Sequence, residues 1–141
     1  LGLALAQPNE KVVVFDSEGD LLMSVGVLAM VAEHKPKNFY HFLLDNECYA
    51  TTGGQPVPNA KSVRYDALAL ACGYPAAHAF DNLETFSINL PRILAAPGPV
   101  FVALKIVPEV NNTPIGQRKK WQKRKPVESL AAMQRELGIA R

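Results

Sequence analysis

No stretch of this sequence approaches the ~20 consecutive apolar residues that a membrane-spanning helix needs, so an integral membrane helix is excluded. Cysteine is scarce. Cys48 and Cys72 are the only two, with no metal-type spacing and too few for a disulfide scaffold, so we expect a cytoplasmic protein. No internal repeat and no low-complexity segment is present. The opening, LGLALAQPNE, carries neither a basic leader nor a cleavage signature and does not read as a signal peptide. It reads instead as the end of a helix stopping before Pro8, and with no initial Met we expect the numbered chain to begin inside a longer product or to lack a disordered front.

What is present fits one domain with a sizeable core: 141 residues, 48% of them apolar. The net charge of +2 is unevenly spread. Residues 117–126, QRKKWQKRKP, hold six basic side chains and no acidic one, leaving nine basic against thirteen acidic elsewhere. The basic character therefore belongs to one segment. We read that segment, with Trp121 inside it, as a solvated arm or subunit contact rather than a nucleic-acid site. Its cations could also draw in an anionic substrate.

Along the chain, short apolar runs alternate with helical periodicity. KVVVFD (11–16), NFYHFLLDN (38–46), AAHAFD (76–81) and GPVFVALKIV (98–107) read as strands. Helices are expected over 21–34, 63–73, 82–96 and 127–139, with Gly73 as a stop and Pro91 bending or offsetting the third. Residues 47–60 form a long loop punctuated by Gly53-Gly54 and two prolines. Met23 and Met30 fall in the second-element periodicity and are expected in the core. Such alternation predicts an α/β fold: a doubly wound, mostly parallel sheet with helices on both faces. We assign residues 1–110 to this domain and 111–141 to a basic tail and a final helix packing on it or on a partner.

The first two strands both end in hard oxygen donors: Asp16-Ser17-Glu18-Gly19-Asp20 and Asp45-Asn46-Glu47. In open parallel sheets, ligands bind beyond the carboxyl ends of the strands. A carboxylate and an amide oxygen converging there suit Mg²⁺. The helix opening after the first acidic turn would favour phosphate. The plainer reading of the same residues is a capped helix start and an ordinary Asp-Asn turn.

SEGDLLMSVGVLAMVA followed by LLDNECYATTGGQ resembles the diphosphate-binding domain of thiamine diphosphate-dependent enzymes. Within that group it is most similar to phosphonopyruvate and sulfopyruvate decarboxylases. Leu21-Leu22-Met23, Asp45-Asn46 and Thr51-Thr52-Gly53-Gly54-Gln55 match the pattern, and ALACGY (69–74) fits the helix that follows. The resemblance spans roughly residues 1 to 107. It implies thiamine diphosphate and Mg²⁺ as cofactors, with Glu18, Asn46 and the Cys48 backbone carbonyl on the metal. It also implies that Gly19 and Asp20 present N–H groups to the phosphates, and that Leu21, Asn46, Tyr49 and Thr51 belong to the cofactor site. The Asp20 carboxylate should turn away from the phosphates. Ser17 and Glu18 depart from the family's glycine and aspartate; the second adds a methylene to the ligand.

The resemblance also implies that no catalytic residue lies in this chain. A glutamate from a pyrimidine-binding domain or separate subunit would activate the cofactor, so a homo- or hetero-oligomer acting on a small anionic 2-oxo acid is expected. The alternative is a non-catalytic or degenerate interaction subunit of the same fold. His41, alternating with apolar neighbours, reads as a hydrogen-bonded core or interface residue, and Gln55 as a residue closing its own loop.

Overall fold

The computed structural model describes residues 1–110, 113–117 and 123–139. The chain divides into two compact units, Leu1–Asn111 and Asn112–Arg141. In the first unit the order is α1 (Gly2–Ala6), β1 (Val12–Ser17), α2 (Glu18–Met23), α3 (Gly26–His34) and β2 (Phe39–Asp45). A small hairpin follows, of β3 (Cys48–Tyr49) and β4 (Gln55–Pro56), then α4 (Tyr65–Ala71), β5 (Ala76–Phe80), α5 (Leu83–Ala95) and β6 (Val100–Lys105). The second unit contains α6 (Pro126–Glu136), whose first turn is closed by the Lys125 N–H donating to the Glu128 carboxylate at 3.0 Å. Half of the basic cluster, residues 118–122 with Trp121 among them, lies outside the described residues.

The main sheet has four strands in the order β1-β2-β6-β5, every neighbouring pair parallel. From β2 the chain passes to the far edge as β5, then returns to place β6 between them. β2 and β6 are therefore covered on both faces, which is why they read as near-continuous apolar runs. On one face Phe39, Leu43, Phe101 and Ala103 pack against Leu21, Leu28, Val31, Tyr65 and Ala69 from α2, α3 and α4. On the other, Tyr40, Phe42, Val100 and Val102 pack against Ile93 and its neighbours on α5. The expected two-faced α/β architecture is what forms. Edge strand β1 is less protected: Val13 and Phe15 are exposed, Phe15 by 68%, although its ring still meets Phe42 at 5.5 Å.

Several local expectations change. The helix expected over 21–34 is two helices, because the chain turns at Ser24-Val25. The first begins early, at Glu18, where Ser17 supplies a side-chain cap. The rotation between the two segments leaves Met23 and Met30 exposed, not in the core. Pro91 lies inside α5, which runs on to Ala95. The stop at Gly73 forms as expected: its φ of +103° suits only glycine, and its N–H reaches the Leu70 carbonyl at 2.9 Å. Buried Asn38 ties the amino-terminal segment to β2, its side-chain amide donating to the carbonyls of Ala4, Gln7 and Glu10.

Candidate functional site

β1 and β2 pair in parallel with Ser17 opposite Leu44, so their carboxyl ends lie side by side. The two donor-bearing loops expected from the sequence therefore emerge together. At the first, the Ser17 N–H donates to Asp16 Oδ1 at 2.9 Å, fixing the turn. The Ser17 hydroxyl accepts from the Asp20 N–H at 3.4 Å and donates to Asp20 Oδ2 at 2.9 Å. The Asp20 carboxylate is thus exposed and held by its own cap. Gly19 is buried, and a Cβ there would stand 2.6 Å from Cε1 of Tyr49. Only a glycine lets the Tyr49 ring lie against the start of α2.

At the second loop, Glu47 adopts a left-handed φ of +64°, uncommon outside glycine, which folds the chain back after β2. That turn brings the Cys48 N–H to Asn46 Oδ1 at 3.0 Å. Asp45 is buried and paired: Lys105 Nζ donates to its Oδ2 at 3.0 Å and the Glu47 N–H to its Oδ1 at 3.3 Å. Lys105 also bridges to Glu47 Oε1 at 2.6 Å. This hydrogen bond holds the Glu47 carboxyl below its ordinary range. Burial works against the charge on Lys105, but Glu47 and Asp45 outweigh it and keep the ammonium above its usual value. The sequence reading missed Lys105. Its place at the end of β6 becomes informative only through the β2–β6 register, which sets it opposite Asp45.

Glu18 lies between these loops. It is fully buried, and neither carboxylate oxygen has a hydrogen-bond partner. Burial raises its pKa, and the nearby Asp45 charge adds to this. The backbone N–H groups of Glu18, Asn46 and Cys48 lean the other way, without reaching bonding geometry. A buried carboxylate without donors is costly unless a cation joins it. Among the described residues no cluster of three His, Cys, Asp or Glu side chains could hold a metal. A cation here would instead rest on one carboxylate together with amide and backbone oxygens. That is a hard-oxygen donor set, and the orphaned carboxylate fits Mg²⁺.

Thr51 sits exposed on the short turn Ala50–Thr52. Gln55 closes its own loop, exchanging hydrogen bonds of 3.1 Å with the Thr52 hydroxyl and carbonyl. Leu21 is a core residue on the second half of α2. Tyr65, at the first turn of α4, was not anticipated. Its hydroxyl is buried without a partner, and burial beside Asp45, Glu18 and Tyr49 pushes the phenol up to about 12. A cleft of about 460 Å³ opens next to it, lined by Asp45, Lys61, Arg64, Asp81 and Lys105 among others. His41 is the hydrogen-bonded core histidine expected: Nε2 meets Asp16 Oδ2 at 3.1 Å and Nδ1 meets the Tyr74 hydroxyl at 3.3 Å. Burial keeps it below the usual histidine value despite Asp16. Both cysteines are free.

A parallel α/β domain with paired polar loops at its strand ends is a ligand-binding domain of the open-sheet class. Comparison makes the assignment specific. Residues 1–104 match "Thiamine pyrophosphate enzyme, C-terminal TPP binding domain", and the chain belongs to that family. It is 44% identical over 108 residues to phosphonopyruvate decarboxylase from Streptomyces viridochromogenes, covering 77% of this chain and 27% of that protein. To sulfopyruvate decarboxylase subunit beta from Methanothermobacter thermautotrophicus it is 38% identical over 115 residues, 82% of this chain and 58% of the subunit. The chain thus spans about a quarter of the first relative and just over half of the second. Transketolase from Campylobacter jejuni shares the fold, with a TM-score of 0.56 at 18% identity over 72% of this chain and 17% of that one. No helix among the described residues is long and apolar enough to cross a membrane.

Proposed function

We propose that this chain is the diphosphate- and Mg²⁺-binding half of a thiamine diphosphate-dependent 2-oxo acid decarboxylase acting on a sulfopyruvate- or phosphonopyruvate-like substrate. The observation that carries the reading is Glu18: a buried carboxylate with no donor, set between two loops that both end parallel strands. In this reading Glu18, the Asn46 amide oxygen and the Cys48 carbonyl hold the ion. Gly19 and Asp20 face the phosphates at the start of α2, with Tyr49 and Thr51 lining the approach. The cofactor, when bound, supplies the stabilisation of negative charge left on carbon as CO₂ departs. The chain's own part is to bind and orient it.

The activating glutamate would come from a pyrimidine-binding chain or domain. The relatives' greater length supports this, as does the uncovered apolar strip of Val13 and Phe15 on edge strand β1. The working compartment would be the cytoplasm. The direct test is a titration of thiamine diphosphate with Mg²⁺ into the assembled complex. Binding that is lost in Glu18→Ala and Asn46→Ala supports the reading; no binding, or binding indifferent to both changes, refutes it.

One observation favours a second reading, a subunit of this fold that no longer loads cofactor. The Ser17 hydroxyl already takes the Asp20 N–H that the first reading offers to a phosphate. Glu18→Asp separates the two. A large gain in Mg²⁺ affinity over a wild type with little activity favours the degenerate subunit.

A further inference from the structure

Among the described residues, three buried side-chain polar atoms have no hydrogen-bond partner, and they belong to only two residues: both carboxylate oxygens of Glu18 and the hydroxyl of Tyr65. One residue supplies acceptors and the other a donor. Glu18 opens α2 and Tyr65 opens α4, two helices that pack into the same core cluster, and the Glu18 charge acts on the Tyr65 phenol. The other carboxylate close to Tyr65 is Asp45, and its two oxygens are already taken by Lys105 and by the Glu47 N–H. Glu18 is the acceptor left over.

We infer that Tyr65 is a positioning residue for the metal ligand: its hydroxyl donates to the Glu18 carboxylate oxygen that the ion leaves free. This inference rests on the Mg²⁺ site proposed above. The physical reason is that a carboxylate binding a cation through one oxygen leaves the other buried and in need of a donor. Such supporting hydrogen bonds fix the ligand's orientation. The need is greater for glutamate than for aspartate, because the extra methylene adds a torsion that the ion alone must otherwise restrain.

The test is Tyr65→Phe in the full-length protein assembled with its pyrimidine-binding partner. The change keeps the ring in the core and deletes only the hydroxyl. Mg²⁺ affinity is measured calorimetrically with thiamine diphosphate in fixed excess, and the thermal midpoint is measured in EDTA. The expected result is Mg²⁺ binding weakened by about 10- to 100-fold, with a midpoint in EDTA unchanged or raised. A purely structural hydroxyl would give the reverse: a lowered midpoint and unaltered Mg²⁺ affinity. Unaltered affinity in Tyr65→Phe alongside lost affinity in Glu18→Ala overturns the role of Tyr65 and leaves the ion site standing. Affinity unaltered in Glu18→Ala overturns both.

Discussion

Replacing Glu18 by glutamine should stabilise the metal-free protein and abolish its response to Mg²⁺. The side chain is fully buried, its oxygens are unpartnered, and burial has raised its pKa. A buried polar group left unsatisfied costs about 1–3 kcal/mol, more when charged. Glutamine keeps the shape and removes the charge, though its amide is still poorly matched. The net gain should be about 1–2 kcal/mol at pH 7. For a domain of this size that corresponds to roughly 3–10 °C in thermal midpoint.

The pH dependence follows from the direction of the shift. The folded pKa of Glu18 lies above its unfolded value, so stability from the protonated form is fully present at low pH. It is lost as pH rises through the raised folded value. The advantage of Glu18→Gln should therefore be largest at neutral pH and fade below about pH 4. Ligand reverses the order: at a hundredfold excess over its dissociation constant, Mg²⁺ with thiamine diphosphate adds about 2.7 kcal/mol to the wild type and nothing to the variant. Thermal melts in EDTA and in saturating Mg²⁺ with cofactor read both effects. A variant no more stable than wild type in EDTA at pH 7, or one that gains equally from the ligands, refutes the reasoning.

Three further outcomes are expected. Gly98→Ala places a Cβ 2.5 Å from the Phe39 carbonyl oxygen, which is backbone at the start of β2 and cannot swing aside. Urea denaturation should show a loss of about 1–3 kcal/mol; wild-type stability would contradict the collision. Asn82→Ala removes the cap that accepts the Thr85 N–H at 2.9 Å, and should lower stability by about 1 kcal/mol in the same assay; an unchanged midpoint concentration would show the cap to be idle. For His41, burial lowers the folded pKa, so its contribution is present above the unfolded value of about 6.5 and is lost as pH falls below it. The stability difference between wild type and His41→Gln should shrink over that fall, and a constant difference would argue against a buried neutral imidazole.

Much of this architecture was legible because the local signals agree with one another. The apolar runs through β2 and β6 announce strands buried on both faces, and the two acidic strand ends announce where chemistry collects. What the sequence could not convey was rotation and pairing. Met23 and Met30 fit a helical period, yet a break at Ser24-Val25 turns them outward, and no strong stop residue marks it. Lys105 and Asp45 stand sixty positions apart, and only the β2–β6 register makes them a pair. Tyr65 looked like any aromatic at a helix start. Its interest lies in a hydroxyl without a partner, which is a property of packing and leaves no trace in spacing.

The central claim is that the loops at 16–20 and 45–48 close around one divalent ion that holds the cofactor's diphosphate. Pulsed electron paramagnetic resonance on the assembled complex, with Mn²⁺ in place of Mg²⁺ and thiamine diphosphate bound, reads this directly through ³¹P couplings. The account predicts coupling of one bound Mn²⁺ to the diphosphate phosphorus nuclei, abolished in both Glu18→Ala and Asn46→Ala. A coupled ion that persists in both variants, or bound cofactor with no coupled ion, would contradict it.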